Sequence, residues 1–535
     1  MMPHLSMPGS KVEIRRRPAL AFFAIFAAAL VVGSYVFVIL LAAACVYLPY
    51  LMLLGTEFDA RILVLFLFGI LIAATMLWSL IPRRDKFEAP GMLLDRSAQP
   101  RLFAELENIA AALDEPMPQE VYLIGAANAF VADRGGVMGF GSRRVMGLGL
   151  PLLYLLTVSQ FRAVLAHEFA HYYGGDTSLG PWVYKTKTSI VRIFENIGSV
   201  GQLARIAILG VMYMAVTWLL KGYFIAFLRA INFVSRRQEY RADELACLVA
   251  GHQNLIDGLQ AIHRAAVAWP AFWKNEVAPH LGDGSLVALG DGFARFVSVP
   301  EISSQIGKNL STRLQEEKVG PYDTHPPLRD RIAAAEKVDA CTAAQDARLA
   351  CALLENLPST EVDFVEHALP DLPRGSLQYV GWDDVAARVV IPSWRKFVAE
   401  YAEPLRGVTV ESIPNQVAKF REIGSRIRDP KGMLLSPDQR TARAGMMFAA
   451  AVALRLIQTG WELEVQPATF HIRRGNAEFN PFDAINQLMT KKLSRDAWSS
   501  RCRDLGISQF LLLPVDGQAE LFPIEAGTGV QARLS

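Results

Sequence analysis

Two long apolar runs near the N-terminus constrain the fold of this chain more than any other feature of its sequence. Residues 19–54 are almost uninterrupted apolar sequence, and residues 62–81 form a second run of the same kind. A helix needs about 20 apolar residues to cross the hydrocarbon core of a bilayer, and the first run is too long for the apolar core of a cleaved signal peptide. We therefore predict two transmembrane helices within residues 19–82, which agrees with the mean hydropathy of +0.23.

The charges around these two runs predict their orientation. The loop between the runs carries Glu57 and Asp59. Basic residues flank the outer ends of the two runs, namely Lys11, Arg15, Arg16, Arg17, Arg83, Arg84 and Lys86. Because basic flanking residues stay on the cytoplasmic side, residues 1–18 are expected to be a cytoplasmic segment, and the chain from residue 86 onward is expected in the cytoplasm. The net charge of +2 gives no indication of a nucleic-acid partner.

An H-E-x-x-H pentad runs from His167 to His171, within residues 156–173, which we predict to be a helix. Residues four apart share one face of a helix, so the two histidines can bind one divalent metal ion, for which Zn²⁺ is the usual choice. Glu168 lies beside the first histidine, where a carboxylate can activate a metal-bound water. The predicted helix is short and carries charged side chains, which argues against a site inside the bilayer.

Two histidines leave a catalytic zinc site one protein ligand short. One class of zinc protease places a third histidine six residues after the second, but residue 177 is a threonine. We therefore expect a glutamate from a later helix, predicted at residues 235–250. Glu239 is the best candidate, because Asp243 follows one turn later and can orient a ligating histidine. Weaker candidates nearby are Glu244 and His252.

Apolar residues 203–234 separate the pentad from Glu239. If both belong to one metal site, the chain must return to the same side of the membrane after this segment. We expect a membrane hairpin that turns near Lys221 and Gly222. A re-entrant or in-plane helix pair and burial in the soluble domain stay open as alternatives.

Four motifs resemble those of the M48 family of zinc metallopeptidases, which includes membrane proteases of the HtpX and CAAX prenyl protease types. Residues 165–171 resemble the family's L-A-H-E-x-A-H helix, and residues 235–246 resemble its S-R-x-x-E-Y-x-A-D-x-x-A helix. Residues 128–130 are similar to its N-A-F strand, and residues 324–332 to its T-H-P-P-x-x-x-R-I segment. The resemblance covers residues 100–335.

This resemblance implies a zincin-like (gluzincin) metallopeptidase domain with one Zn²⁺ per chain. It implies that the metal ligands are His167, His171 and Glu239, with Glu168 as the general base. Asp243 would support a ligating histidine from the second layer of residues around the metal.

The resemblance also implies the residues that contact substrate. His325 would face the active site and donate a hydrogen bond to the tetrahedral oxyanion. Asn128, Ala129 and Phe130 would line the cleft, where an extended substrate adds to the strand through main-chain hydrogen bonds.

The predicted fold class is mainly α with a small β element. Strands are predicted at residues 121–124 and 128–131, and residues 137–150 are expected to form a hairpin or an irregular edge strand. The peptidase domain would span residues 83–340, interrupted by the apolar, membrane-associated insert at about residues 203–234.

Residues 341–535 have no counterpart in the family and are predicted to form a C-terminal α+β accessory domain of unassigned role. Its apolar run at residues 445–454 is too short to cross a bilayer and is better explained as a buried helix.

The expected function is that of an integral-membrane zinc endopeptidase of the bacterial inner membrane, with its active site facing the cytoplasm and a role in membrane-protein quality control. Its expected partners are the lipid bilayer and a polypeptide substrate, either a membrane protein or a misfolded one. No particular oligomeric state is indicated. The sequence leaves two alternatives open: a non-catalytic or chaperone-like scaffold that retains the peptidase fold, and a zinc hydrolase acting on a non-peptide substrate.

Overall fold

The computed structural model describes residues 18–55, 59–81, 87–136, 141–172, 180–201, 207–316, 323, 325–339, 345–427 and 436–514. The chain divides into two compact units. The first contains Met1–Pro270 and Pro300–Asp371, and the second contains Ala271–Val299 and Leu372–Ser535. Helices predominate over small sheets, which confirms the predicted fold class at this level.

The helices and strands follow one another in this order. Up to residue 272 they are α1 (Pro18–Gly55), α2 (Ala60–Leu80), β1 (Met92–Leu93), α3 (Pro100–Ala112), β2 (Glu120–Ile124), β3 (Ala129–Arg134), β4 (Arg143–Gly149), α4 (Leu150–Leu155), α5 (Val158–Ala170), α6 (Gly180–Val200), α7 (Ala207–Ala250) and α8 (His252–Phe272). Between residues 278 and 368 they are α9 (Ala278–Leu281), β5 (Ser285–Val287), α10 (Leu289–Ser298), α11 (Pro300–Glu316), α12 (Leu328–Ala335) and α13 (Leu357–Ala368). The remainder are β6 (Gln378–Val380), α14 (Trp382–Val385), α15 (Ile391–Glu400), α16 (Ile413–Gln416), α17 (Phe420–Arg426), α18 (Pro437–Gln458), β7 (Glu462–Gln466), β8 (Thr469–Arg474), β9 (Ala477–Glu478), α19 (Pro481–Met489) and α20 (Arg495–Asp504).

The two apolar runs form the helices α1 and α2, as predicted. Both are long and apolar enough to cross a membrane, as is the apolar part of α7. Asp59 caps the start of α2, where its side chain accepts a hydrogen bond from the backbone N–H of Arg61 at 2.8 Å. The two helices pack closely, because Gly69 lies directly against the carbonyl oxygen of Cys45.

We expect Gly69→Ala to destabilise the helix pair, because the added Cβ would lie well inside the van der Waals contact distance to the Cys45 carbonyl oxygen. Overpacking of this kind costs about 1–3 kcal/mol. Gly222→Ala is the matched control, since nothing lies within 4 Å of a Cβ at that helical position. Thermal unfolding in detergent should show a lower midpoint for Gly69→Ala and an unchanged or slightly higher one for Gly222→Ala. Equal midpoints for the two variants would contradict the close packing.

The turn predicted near Lys221 and Gly222 is wrong, because α7 continues as one helix through both residues. A single glycine costs a helix only about 1 kcal/mol, and no proline interrupts the segment. The chain instead passes along the apolar helices as α6 and returns as α7. Asn196 of α6 donates a hydrogen bond to Ser79 Oγ at 2.9 Å. Tyr223 of α7 stacks on Phe37 of α1 with ring centroids 4.1 Å apart.

A four-stranded sheet lies in the first unit, with strand order β1-β2-β4-β3. β2 confirms the strand predicted at residues 121–124, and β3 begins one residue later than predicted, at Ala129. The expectation of an edge strand within residues 137–150 is wrong for β4, which lies between β2 and β3; residues 137–140 lie outside the described part. The edge strand at this side of the sheet is β3.

Residues beyond 345 belong partly to the first unit rather than to the C-terminal region in which the sequence placed them. Ala350 donates its backbone N–H to the carbonyl of Leu156 at 2.8 Å. Tyr154 donates its hydroxyl hydrogen to the fully buried carboxylate of Glu361 at 2.7 Å. These contacts tie the segment to the elements around the pentad.

The second unit has its own hydrophobic core around α18. Residues 445–454 of this helix are buried except for Met446, as expected for a run too short to span a membrane. α17 crosses α18 closely, because Gly424 lies directly against the backbone of Arg440. β7, β8 and β9 form an antiparallel three-stranded sheet.

Candidate metal centre

The pentad lies on α5, a buried helix with a well-defined start. Thr157 and Gln160 form a capping box, in which the Gln160 backbone N–H donates to Thr157 Oγ1 at 3.2 Å and the Thr157 N–H donates to Gln160 Oε1 at 3.0 Å. The observed helix covers Val158–Ala170, so it starts two residues later than the helix predicted at residues 156–173 and ends before residue 171. His167 and His171 lie on one face, with ring centroids 4.8 Å apart. The local fold thus places both imidazoles where they can share one ion.

Glu239 of α7 completes a group of three potential metal ligands. Its Oε2 lies 3.5 Å from His167 Nε2, and its Oε1 lies 3.4 Å from His171 Nε2. Zinc bonds of about 2.0–2.1 Å in a tetrahedron separate neighbouring ligand atoms by about 3.3 Å. Within the described residues, these three side chains are the one group of His, Cys, Asp or Glu that brings its ligand atoms together in this way. The donor set and its spacing fit a zinc ion.

The buried carboxylate of Glu239 has an unsatisfied oxygen. Its Oε2 receives no hydrogen bond from the described part of the chain, although His325 Nδ1 lies 2.9 Å away. A buried acceptor without a donor costs free energy unless another group satisfies it. A cation between the two histidines would satisfy this oxygen.

Asp243 lies one turn after Glu239 on α7 and is almost fully buried. Its Oδ1 is 2.9 Å from His167 Nδ1. An acceptor at Nδ1 favours the tautomer that keeps the proton there and leaves Nε2 free for a metal ion. The structure therefore brings Asp243 to the position in which a supporting carboxylate would act.

Arg331 of α12 also lies at this site, although the sequence predicted no role for it. It is buried, and it donates to both carboxylate oxygens of Asp243, from Nε at 2.9 Å and from Nη2 at 2.7 Å. The only sequence signal was its place in the segment at residues 324–332, whose match to a family motif says nothing about the direction of the side chain.

Burial and neighbouring charges shift the pKa values of the two pentad histidines in opposite directions. Burial, with the charge of His167, lowers the pKa of His171 to about 4, so this imidazole is neutral and able to bind metal. Burial and Arg331 also oppose a charge on His167, but the carboxylates of Asp243 and Glu239 outweigh them and raise its pKa to about 9. In the metal-free site, metal binding therefore competes with a proton on His167.

Glu168 is half-buried on α5, and burial raises its pKa to about 7, with His167 acting in the opposite direction. A carboxylate with a pKa near neutrality can both accept and release a proton. The fold thus gives Glu168 the acid–base property that its place in the pentad suggests.

The three predicted cleft residues lie at the start of the edge strand β3. Asn128 is exposed just before the strand, whereas Ala129 is buried. The ring of Phe130 lies against Gly147 of the neighbouring strand β4 and packs on the small hydrophobic cluster at this sheet. At the end of α5, Tyr172 donates its hydroxyl hydrogen to the carbonyl of Val131 at 3.1 Å. β3 therefore runs beside the metal-ligand helix, while contact of these residues with substrate stays a prediction.

Known proteins resemble part of this chain. Residues 96–339 match the model of Peptidase family M48. Protease HtpX of Stutzerimonas stutzeri (strain A1501) is 29% identical over 192 residues, which cover 34% of this chain and 55% of that protein. Protease HtpX of Aeromonas hydrophila subsp. hydrophila is 27% identical over 207 residues, which cover 36% of this chain and 60% of that protein. No solved structure matches the chain.

The chain thus spans between 55% and 60% of the length of these curated relatives. The family match contains the pentad, Glu239, Asp243, His325 and Arg331, all of which lie between residues 96 and 339. The motifs, the cluster of potential ligands and the family match agree, and residues 96–339 of this chain are similar to peptidase family M48.

Proposed function

We propose that this protein is a membrane-anchored zinc endopeptidase. The observation that carries the proposal is that His167, His171 and Glu239 each bring one ligand atom within 4.8 Å of the others, with the half-buried Glu168 between the two histidines in the pentad. Three such ligands leave one position of a tetrahedral zinc ion for water or substrate, which is the arrangement of catalytic rather than structural zinc sites.

The chain's own residues would divide the remaining work. His167, His171 and Glu239 would hold zinc, which supplies a Lewis acid that makes water a stronger nucleophile and polarises a carbonyl group. Glu168 would accept the proton of the attacking water and deliver it to the leaving amine. His325, with 65% of its side chain exposed, would donate a hydrogen bond to the carbonyl oxygen as negative charge develops on it.

An extended polypeptide is the substrate that this site would accept best. β3 is the last strand of its sheet, so one of its edges pairs with no other strand among the described residues. A peptide in extended conformation can add to such an edge through main-chain hydrogen bonds, which recognise backbone rather than sequence. Unstructured segments of membrane or misfolded proteins present backbone in this form, which is consistent with a role in quality control.

We place the active site on the cytoplasmic side of the bacterial inner membrane, outside the hydrocarbon core. α7 runs without a break from its apolar part to Glu239, which lies about 27 Å along the helix from Lys221 at 1.5 Å per residue. The basic residues that flank α1 and α2 favour the cytoplasm for this end of the helix bundle.

Metal removal tests the proposal. The purified full-length protein in detergent should contain about one equivalent of zinc and cleave an unstructured protein such as casein. Chelation should abolish cleavage, and added zinc should restore it. His171→Ala should lose the zinc, whereas His367→Ala on α13, outside the proposed ligand set, should keep it. The proposal fails if the native protein holds less than about half an equivalent of zinc, or if chelated protein cleaves casein as fast as before.

A further inference from the structure

Arg331 contacts three members of the candidate metal site with one guanidinium group. Besides its two hydrogen bonds to Asp243, its Nη1 lies 3.6 Å from Glu239 Oε2. Its Nη2 lies 3.4 Å from both ring nitrogens of His167. Equal distances to the two nitrogens place Nη2 over the face of the ring, because an in-plane position would bring it into collision with the carbon between them. The guanidinium therefore lies against the face of the His167 ring, while the Asp243 carboxylate contacts the edge of the same ring at Nδ1.

The charges at the site require such a group. Glu168, Glu239 and Asp243 bring three carboxylates to one cluster, and like charges at short distance repel one another strongly when buried. Arginine stays protonated in proteins, and its planar fork matches a carboxylate with two parallel hydrogen bonds. With the three carboxylates ionised, Arg331 and one divalent ion together carry the three positive charges that balance them.

We propose that Arg331 is a positioning residue that preorganises the metal site by fixing Asp243 and, through it, the orientation of His167. The order of contacts is Arg331 to Asp243 Oδ1, and Asp243 Oδ1 to His167 Nδ1, which leaves His167 Nε2 directed at Glu239. Arg331 does not bind the ion itself, since it has no acceptor atom. This inference rests on the proposed zinc site but not on its peptidase activity.

Zinc affinity, measured by competition with a chromogenic chelator on the full-length protein in detergent, tests this role. We expect Arg331→Met to weaken zinc binding by about 10- to 100-fold, the range typical of residues that support metal ligands. Arg331→Lys should recover only part of the loss, because it restores the charge without the fork. Arg329→Met is the matched control on the same helix: Arg329 is 58% exposed, pairs with the adjacent Asp330, and should leave the affinity unchanged.

A double-mutant comparison shows whether Arg331 acts through Asp243. If it does, Asp243→Asn combined with Arg331→Met should weaken zinc binding little more than Asp243→Asn alone. Full additivity of the two losses would overturn the role, and so would native affinity in Arg331→Met. If Arg331→Met fails to fold, native affinity in Arg331→Lys overturns the role equally. Retention of zinc by His171→Ala would instead show that the proposed zinc site is wrong.

Discussion

Replacing Glu168 with glutamine is expected to lower kcat/KM for casein cleavage by about 10² to 10⁴-fold, the usual contribution of a general base. Glutamine has nearly the same shape as glutamate but cannot take a proton from the attacking water. The three candidate ligands are untouched, so the variant should keep about one equivalent of zinc. Loss of turnover with retention of metal separates the role of Glu168 from that of the ligands.

The acid limb of the pH profile should disappear together with Glu168. Burial raises the pKa of this carboxyl to about 7 in the metal-free site, and a bound dication favours the carboxylate and so lowers it from that value. The base works when deprotonated, so kcat/KM of the native enzyme should fall as the pH drops through the pKa of Glu168 in the zinc-bound site, which lies below about 7. In Glu168→Gln the residual rate should lose that limb.

Glu336→Gln is the control for this experiment, since Glu336 is an exposed residue at the end of α12. It should retain native activity and zinc content after the same purification. Unchanged casein cleavage in Glu168→Gln, measured on protein free of contaminating proteases, would remove Glu168 from the mechanism. A simultaneous loss of zinc would show that Glu168 supports the metal ligands, which would contradict its assignment as a general base only.

The sequence pattern was sufficient to predict which site residues lie together when those residues belong to one helix. Helical spacing of four places His167 and His171 on one face, and the same spacing places Glu239 and Asp243 together on α7. The helices α1 and α2 follow equally directly from their apolar runs, because each is at least as long as the about 20 residues that a helix needs to cross a bilayer. The sequence also required the chain to come back to the pentad after residues 203–234, and α7 does bring Glu239 to His167 and His171.

The pattern was insufficient where the outcome depends on tertiary contacts. A lysine followed by a glycine suggested a turn in α7, but the helix continues through both residues, and Tyr223 next to them stacks on Phe37 of α1. The motif at residues 324–332 marked Arg331 but not the direction of its side chain, since packing against α7 buries Arg331 and leaves Arg329 exposed. The position of β4 inside the sheet depends on its parallel pairing with β2, which no local signal encodes.

Glu239→Gln is expected to remove zinc from the protein. Glutamine replaces the single anionic ligand of the proposed set with a neutral amide, and a catalytic zinc ion then has only two strong protein ligands. We expect the affinity to fall by more than 100-fold, beyond the 10- to 100-fold loss typical of residues that only support ligands. Unlike Glu168→Gln, this variant should regain part of its casein cleavage in excess zinc, because its general base is intact.

Thermal unfolding provides a second measure of the same variant. Zinc that binds only the folded protein stabilises it in proportion to the logarithm of its concentration over Kd, so each tenfold loss of affinity removes about 1.4 kcal/mol of that stabilisation. The native protein should therefore gain stability when zinc is added, and Glu239→Gln should gain little. Burial opposes the ionised form of Glu239, but His167 and His325 outweigh it and hold the pKa of this carboxyl well below its ordinary value. Metal-free Glu239→Gln should therefore be no more stable than the metal-free native protein, because the substitution removes a carboxylate that its cationic neighbours stabilise.

Glu244→Gln distinguishes the two candidate third ligands on α7. Glu244 forms an ion pair with Arg241 at 2.7 Å and lies outside the group of converging ligand atoms. Five positions along a helix amount to a rotation of about 500°, which turns Glu244 well away from the face that Glu239 presents to the histidines. Glu244→Gln should therefore keep native zinc affinity and native zinc-induced stabilisation. If Glu244→Gln lost zinc while Glu239→Gln retained it, the face of α7 assigned to the metal would be wrong, and with it the support given to His167 by Asp243 and Arg331.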